Sequence, residues 1–122
     1  MSSDLNAALS VNTALSVNAG GRDDAVWLAL SHTPSVAAPA DGNVFEHPLF
    51  GQHARFVMGL QAAGLLVGAG PIPGRPGHGM TIIRVPAPEV ADYVRAAHDD
   101  DPSVVGGLLQ VGVDVWNVRM TS

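Results

Sequence analysis

The sequence predicts an α+β domain in which a four-stranded antiparallel sheet carries two helices on one face, in the order βαββαβ. Three observations predict it. Apolar residues alternate with the two-residue period of a strand near 25–33 and 107–118, and short apolar segments at 65–72 and 80–85 read as two further strands. Two other segments, opening near Pro48 and Pro88, repeat apolar residues every three or four positions, which is the helical period. The six segments follow one another as strand, helix, strand, strand, helix, strand.

The first strand, "AVWLALSHT", sets Val26, Leu28, Leu30 and His32 against Ala25, Trp27, Ala29 and Ser31, and Pro34 stops it. With apolar residues on both sides, it reads as a strand covered on both faces. A loop rich in Pro, Ala and Gly leads to "HPLFGQHARFVMGLQAAG". There Pro48 suits the first helical position, Gly64 suits the C-terminal cap, and Phe50, His53, Val57 and Leu60 share one stripe. "LLVGAGPI" is the second strand, "PIPGRPGHG" a turn-rich connection and "MTIIRV" the third strand. "PAPEVADYVRAAH" starts a helix at Pro88 and Glu89 and buries Val90, Tyr93, Val94 and Ala97. The last strand, 107–118, points Leu109, Val111, Val113 and Val115 one way and Leu108, Gln110, Asp114, Trp116 and Val118 the other. This is the split βαβ order of a ferredoxin-like sheet. Its second face is left open for another subunit or a ligand.

Residues 1–23 form an N-terminal extension and residues 24–122 the domain. The extension carries a near-duplication, "ALSVN" at 8–12 and again at 14–18, with strand-like alternation. It fits an extended arm lying on a partner subunit, and equally a loosely held terminal segment.

Composition narrows the partners. The 122 residues are 47% hydrophobic and 14% charged, so a chain this small has too little polar surface to cover itself. A homodimer or higher homo-oligomer is expected. The net charge is −5, there is no lysine, and the six arginines are scattered, so the clustered basic surface that nucleic acid requires is missing. The absence of cysteine excludes disulfides, thiol catalysis and thiolate ligands within the chain. No apolar run approaches a membrane span and no signal-peptide pattern opens the chain. A cytoplasmic protein without membrane partners is expected.

The chemistry-bearing candidates are histidines and aspartates. His53 places an ionisable ring on an apolar stripe near a helix start, where a neutral, proton-accepting imidazole is suited. The same spacing also fits a buried histidine satisfied by backbone. In "HDDDPS", Asp99 can pair with Arg95 on the helix surface, and Asp99 and Asp100 read as a charged helix end. Asp101 precedes Pro102, whose ring drives it out of helical geometry, so its carboxylate can leave the helix face. A buried carboxylate there can orient a histidine and support its charged form. Solvated turn formation is the plainer alternative. His32, at a strand end, either lines a cleft or sits on a rim. His78 is either a loop residue over a site or part of a hairpin connection. His47 is explained by the Pro48 after it and His98 by a helix end. Histidines at 32, 47, 53, 78 and 98 include no i, i+4 pair, so no metal is expected from spacing. A site assembled from distant residues stays open. "GAGPIP" and "GRPGHG" lack the small residues and lysine of a phosphate loop.

Four patterns in order, "LSHTP", "HARFVMGLQAAGLL", "GAGP" and "DPSVVGGLL" before a strand ending in Trp116, resemble the YciI-like (YCII-related) family of the dimeric α+β barrel superfamily. The resemblance covers Trp27 to Met120. It implies a histidine/aspartate pair in a cleft, falling on His53 and Asp101, and two sheets packed face to face in a dimer. It implies substrate contacts at His32 and on the last strand, at Asp114 and Trp116. Asp114 stands where the family has a basic residue, in a stretch closer to "VRPW". Relatives include a dehydrochlorinase, and the wider superfamily includes muconolactone isomerase and cofactor-free monooxygenases. The expected function is a small cofactor-free enzyme that moves a proton on a small organic metabolite, as a lyase or isomerase does. His53 and Asp101 would be catalytic, and His32, His78, Asp114 and Trp116 would contact substrate. A non-catalytic ligand-binding or interaction dimer is the alternative, and oxygen chemistry a third reading.

Overall fold

The computed structural model describes residues 25–39 and 43–121. The N-terminal segment read as an arm lies outside the described residues. Strand β1 (Ala25–Pro34) is central, paired antiparallel on one edge with β3 (Gly79–Pro86) and on the other with β4 (Leu109–Trp116). Strand β2 (Leu66–Pro71) adds antiparallel to the free edge of β3, giving the order β2-β3-β1-β4. The molecule is α+β with a four-stranded antiparallel open sheet, an arrangement compatible with a ferredoxin-like fold.

Helix α1 (Pro48–Ala62) starts where the sequence placed it. His47 is its N-cap, with ring Nδ1 accepting from the Leu49 N–H at 3.1 Å, and Pro48 follows at a position whose N–H has no helical partner. At the other end Gly64 takes φ +78°, while the N–H groups of Gly64 and Leu65 return to the carbonyls of Gln61 and Leu60. That left-handed closure turns the chain sharply into β2. After β3, a 3-10 turn at Ala87–Glu89 feeds helix α2 (Val90–Asp99).

Alternation along β1 decides what is inside. Val26, Leu28, Leu30 and His32 are buried, and pairing sets Leu28 beside Ile83 and Val115. Both helices cover this face, with Leu60 of α1 and Val90 and Ala97 of α2 in the same cluster. Each such aliphatic side chain stabilises the fold by about 1.5–3 kcal/mol through removal from water. A second cluster of Val44, Leu108 and Leu109, with Leu49 and Phe50 against it, closes the sheet where β1 ends.

Two expectations need correction. Among the described residues β1 is fully covered on one face: Trp27, Ala29 and Ser31 are half-buried on the other, and Trp116 packs edge-on against Trp27 at 6.0 Å. The last strand is shorter than 107–118, because a short helix α3 (Pro102–Val105) and Gly107 at φ +83° precede it. No helix among the described residues is long and apolar enough to cross a membrane.

The central strand is therefore the mechanical core of the domain. Leu28→Ala should lower unfolding free energy by about 2–5 kcal/mol, the usual range for a buried large-to-small change. Urea denaturation followed by circular dichroism will check this; a change below 1 kcal/mol, roughly the level of a surface substitution, would contradict the assignment.

Candidate active site

Three separate elements deliver one polar cluster into this apolar frame. β1 supplies His32, which alternation places on the buried face at the strand end, opposite Gly79 and Val111. α1 supplies His53 from its second turn. The junction between α2 and α3 supplies Asp101, held by the following proline at φ −89°, ψ 111° as the N-cap of α3. Gly106 lets α3 lie close to α1: a Cβ there would come within 2.6 Å of a Leu49 methyl and 2.9 Å of the Pro102 carbonyl.

The carboxylate of Asp101 divides its two oxygens between different tasks. Oδ1 accepts from the Ser103 N–H at 3.0 Å and from the Ser103 hydroxyl at 2.8 Å. Oδ2 meets His53 Nδ1 at 2.7 Å. Oδ2 also faces His32 Nε2, at 3.5 Å. That longer contact is electrostatic rather than a formed hydrogen bond, and both ring nitrogens of His32 are buried without a hydrogen-bond partner. Asp101 and Ser103 are wholly buried, His32 is 3% exposed and the His53 side chain 12%. The two imidazoles stand edge to face, 4.5 Å apart.

Burial by itself raises the pKa of Asp101. The contacts with His32, His53 and Ser103, together with charge on His53, outweigh burial and hold the carboxyl well below its ordinary range. The site therefore contains a buried carboxylate that stays ionised. With Nδ1 directed at Asp101, the far nitrogen of His53, Nε2, points away from the carboxylate. Both histidine rings border a cavity of about 290 Å³, otherwise lined mainly by apolar groups such as Phe45, Phe50, Val57 and Leu109. Such an arrangement can accept a proton at Nε2, offset the charge through Asp101, and hold the acceptor geometry fixed. The two imidazoles and the carboxylate also offer three metal-ligand atoms within 4.8 Å of one another.

The structure brings together His32, His53 and Asp101 from the sequence candidates. His78 lines the same cavity from the β2–β3 connection, where its backbone N–H donates to the Arg75 carbonyl. Asp114 and Trp116 are not brought there. They are exposed on the opposite sheet face, because β1–β4 pairing puts them beside Ala29 and Trp27 rather than beside Leu28, Leu30 or His32. Asp99 and Asp100 are exposed at the helix end, and His98 bonds the Val94 carbonyl at 2.9 Å. Ser103 escaped the sequence reading, although Asp-Pro-Ser is an N-cap pattern whose third residue returns its N–H to the aspartate. The three-ligand cluster also escaped it, because its members come from distant segments and leave no spacing signal. No family model matches the chain, and no curated protein matches it.

A depressed folded pKa means that ionised Asp101 stabilises the fold above its unfolded value near 3.9, and that this contribution is lost as pH falls below it toward the folded value. Asp101→Asn should remove it, flattening the acid limb of a stability-against-pH curve below about pH 4. Denaturant titrations across that range check this; parallel acid limbs for both proteins would be the contrary result.

Proposed function

We propose that this protein is a small cofactor-free enzyme of the lyase or isomerase type, moving a proton on a small organic metabolite through His53 and Asp101. The observation that carries the reading is the 2.7 Å contact between His53 Nδ1 and a wholly buried, ionised Asp101, set at the wall of an apolar cavity. Nε2 of His53 takes a proton from the substrate, and the carboxylate offsets the charge that the ring gains. The same nitrogen then returns the proton at another atom, as an isomerase does. In the lyase case the electron pair of the broken C–H bond forms a new double bond, and the leaving group departs with the pair of its own bond to carbon. Ser103 keeps the carboxylate in position throughout. His32 and His78 contact substrate from the two sides of the cavity where they stand. A cavity of about 290 Å³ lies at the small end of ligand sites, which favours a compact substrate.

The order of short motifs that resembles YciI-like proteins supports this reading. The working form is a homodimer that covers the open sheet face, where Trp27 and Trp116 are partly exposed. That same face supports the second reading, a ligand-binding dimer without catalysis.

Proton transfer can be read without knowing the product, by incubating the chain in D2O with a panel of small carbonyl and hydroxy compounds and measuring deuterium incorporation by NMR. His53→Ala and Asp101→Asn should each slow exchange by about 10²–10⁴-fold with the fold retained. Exchange at wild-type rates in both variants would overturn the acid/base reading, and ligand binding without exchange would establish the second one.

A further inference from the structure

We propose that His32, His53 and Asp101 together take one divalent transition-metal ion of the zinc type, and that this ion inhibits the acid/base centre by occupying its nitrogen and oxygen donors. The inference rests on the function just proposed only for its inhibitory consequence; the binding itself stands on geometry. Two imidazoles and one carboxylate are a donor set that suits zinc and its neighbours over magnesium or calcium. All three ligand atoms lie within 4.8 Å of one another.

The distances argue further. Ligand atoms bound at about 2.1 Å to one tetrahedral ion stand about 3.4 Å apart. His32 Nε2 and Asp101 Oδ2 are separated by 3.5 Å, too far for a good hydrogen bond and near the span of two ligands on one ion. His53 Nδ1 and Oδ2, at 2.7 Å, need to part by roughly 0.7 Å, which side-chain rotation in a half-buried ring supplies.

Burial supplies an independent observation. His32 is 3% exposed, neither ring nitrogen has a hydrogen-bond partner, and Nε2 is aimed at the carboxylate. An imidazole buried in that state is costly, and an ion between it and Asp101 removes the cost at one nitrogen. The other carboxylate oxygen is already held by the backbone and hydroxyl of Ser103, the outer support that ligating carboxylates characteristically have. The cavity beside the histidines leaves room for a fourth ligand such as water.

Inhibition follows from proton bookkeeping. When the ion takes the Nδ1 lone pair of a neutral His53, the ring proton moves to Nε2. The nitrogen that would accept a substrate proton then already carries one. No oxidation or net bond change in the protein is required.

Isothermal titration of the full chain with zinc chloride, in a buffer that does not bind zinc, tests the proposal. One zinc per chain and no response to magnesium chloride are expected. His32→Gln and Asp101→Asn should each weaken zinc binding by more than about tenfold, whereas His98→Gln should leave it unchanged. Zinc should also shift the ring NMR signals of His32 and His53 in the unmodified chain, a readout that survives if a variant fails to fold. No zinc binding, or binding that is indifferent to His32→Gln and Asp101→Asn with the His32 and His53 signals unmoved, would overturn it. The two proposals fail separately. Absent zinc binding leaves deuterium exchange intact, and absent exchange in metal-free protein overturns the acid/base reading while zinc binding stands.

Discussion

The Asp101 carboxylate joins three parts of the chain, the start of α3, α1 and β1, through polar contacts buried within their packing. One oxygen is committed to Ser103, which fixes the start of α3, and the other reaches across to α1 and β1 through His53 and His32. A bare carboxylate at such depth would cost several kcal/mol, and its ionised state is offset by the hydrogen bonds it makes with His53 and with the N–H and hydroxyl of Ser103. The geometry of His53 is thus inherited from the placement of α3, and the placement of α3 from the close approach at Gly106.

That dependence explains the contrast between a conventional core and an unconventional end. Along most of β1 the buried face carries aliphatic side chains that pack and do nothing else. One strand period beyond Leu30 the same face presents His32, and the helix stripe that ends at Leu60 begins with Phe50 and His53. The polar cluster occupies the end of the layer between sheet and helices, with His32 and His53 at the wall of the cavity. Rigid elements on three sides hold the donors, as sites built on helices and strands do.

The sheet has two faces of different character, and they divide the molecule's tasks. The face under the helices stabilises the fold and presents the cluster. The face with Trp27 and Trp116 leaves apolar area at the surface, the property that makes self-association the working form proposed above. Asp114 belongs to that second face. Its position beside Ala29 in the β1–β4 pairing separates it from the histidines by the thickness of the sheet.

The sequence by itself determined the elements and their inward residues. Period-two alternation put Val26, Leu28, Leu30 and His32 on one side. Proline and glycine marked both ends of α1, and Pro102 took Asp101 off the helix. These are local effects, written in neighbouring residues, so they are legible without a fold. His53 and Asp101 were paired on a motif resemblance rather than on any local rule. Tertiary structure alone decided that His32 faces the same carboxylate oxygen as His53, that Ser103 anchors the carboxylate, and that Asp114 and Trp116 face away from it. Those outcomes depend on strand register and on how closely α3 approaches α1. Both are set by contacts between residues dozens of positions apart, and no spacing along the chain records them.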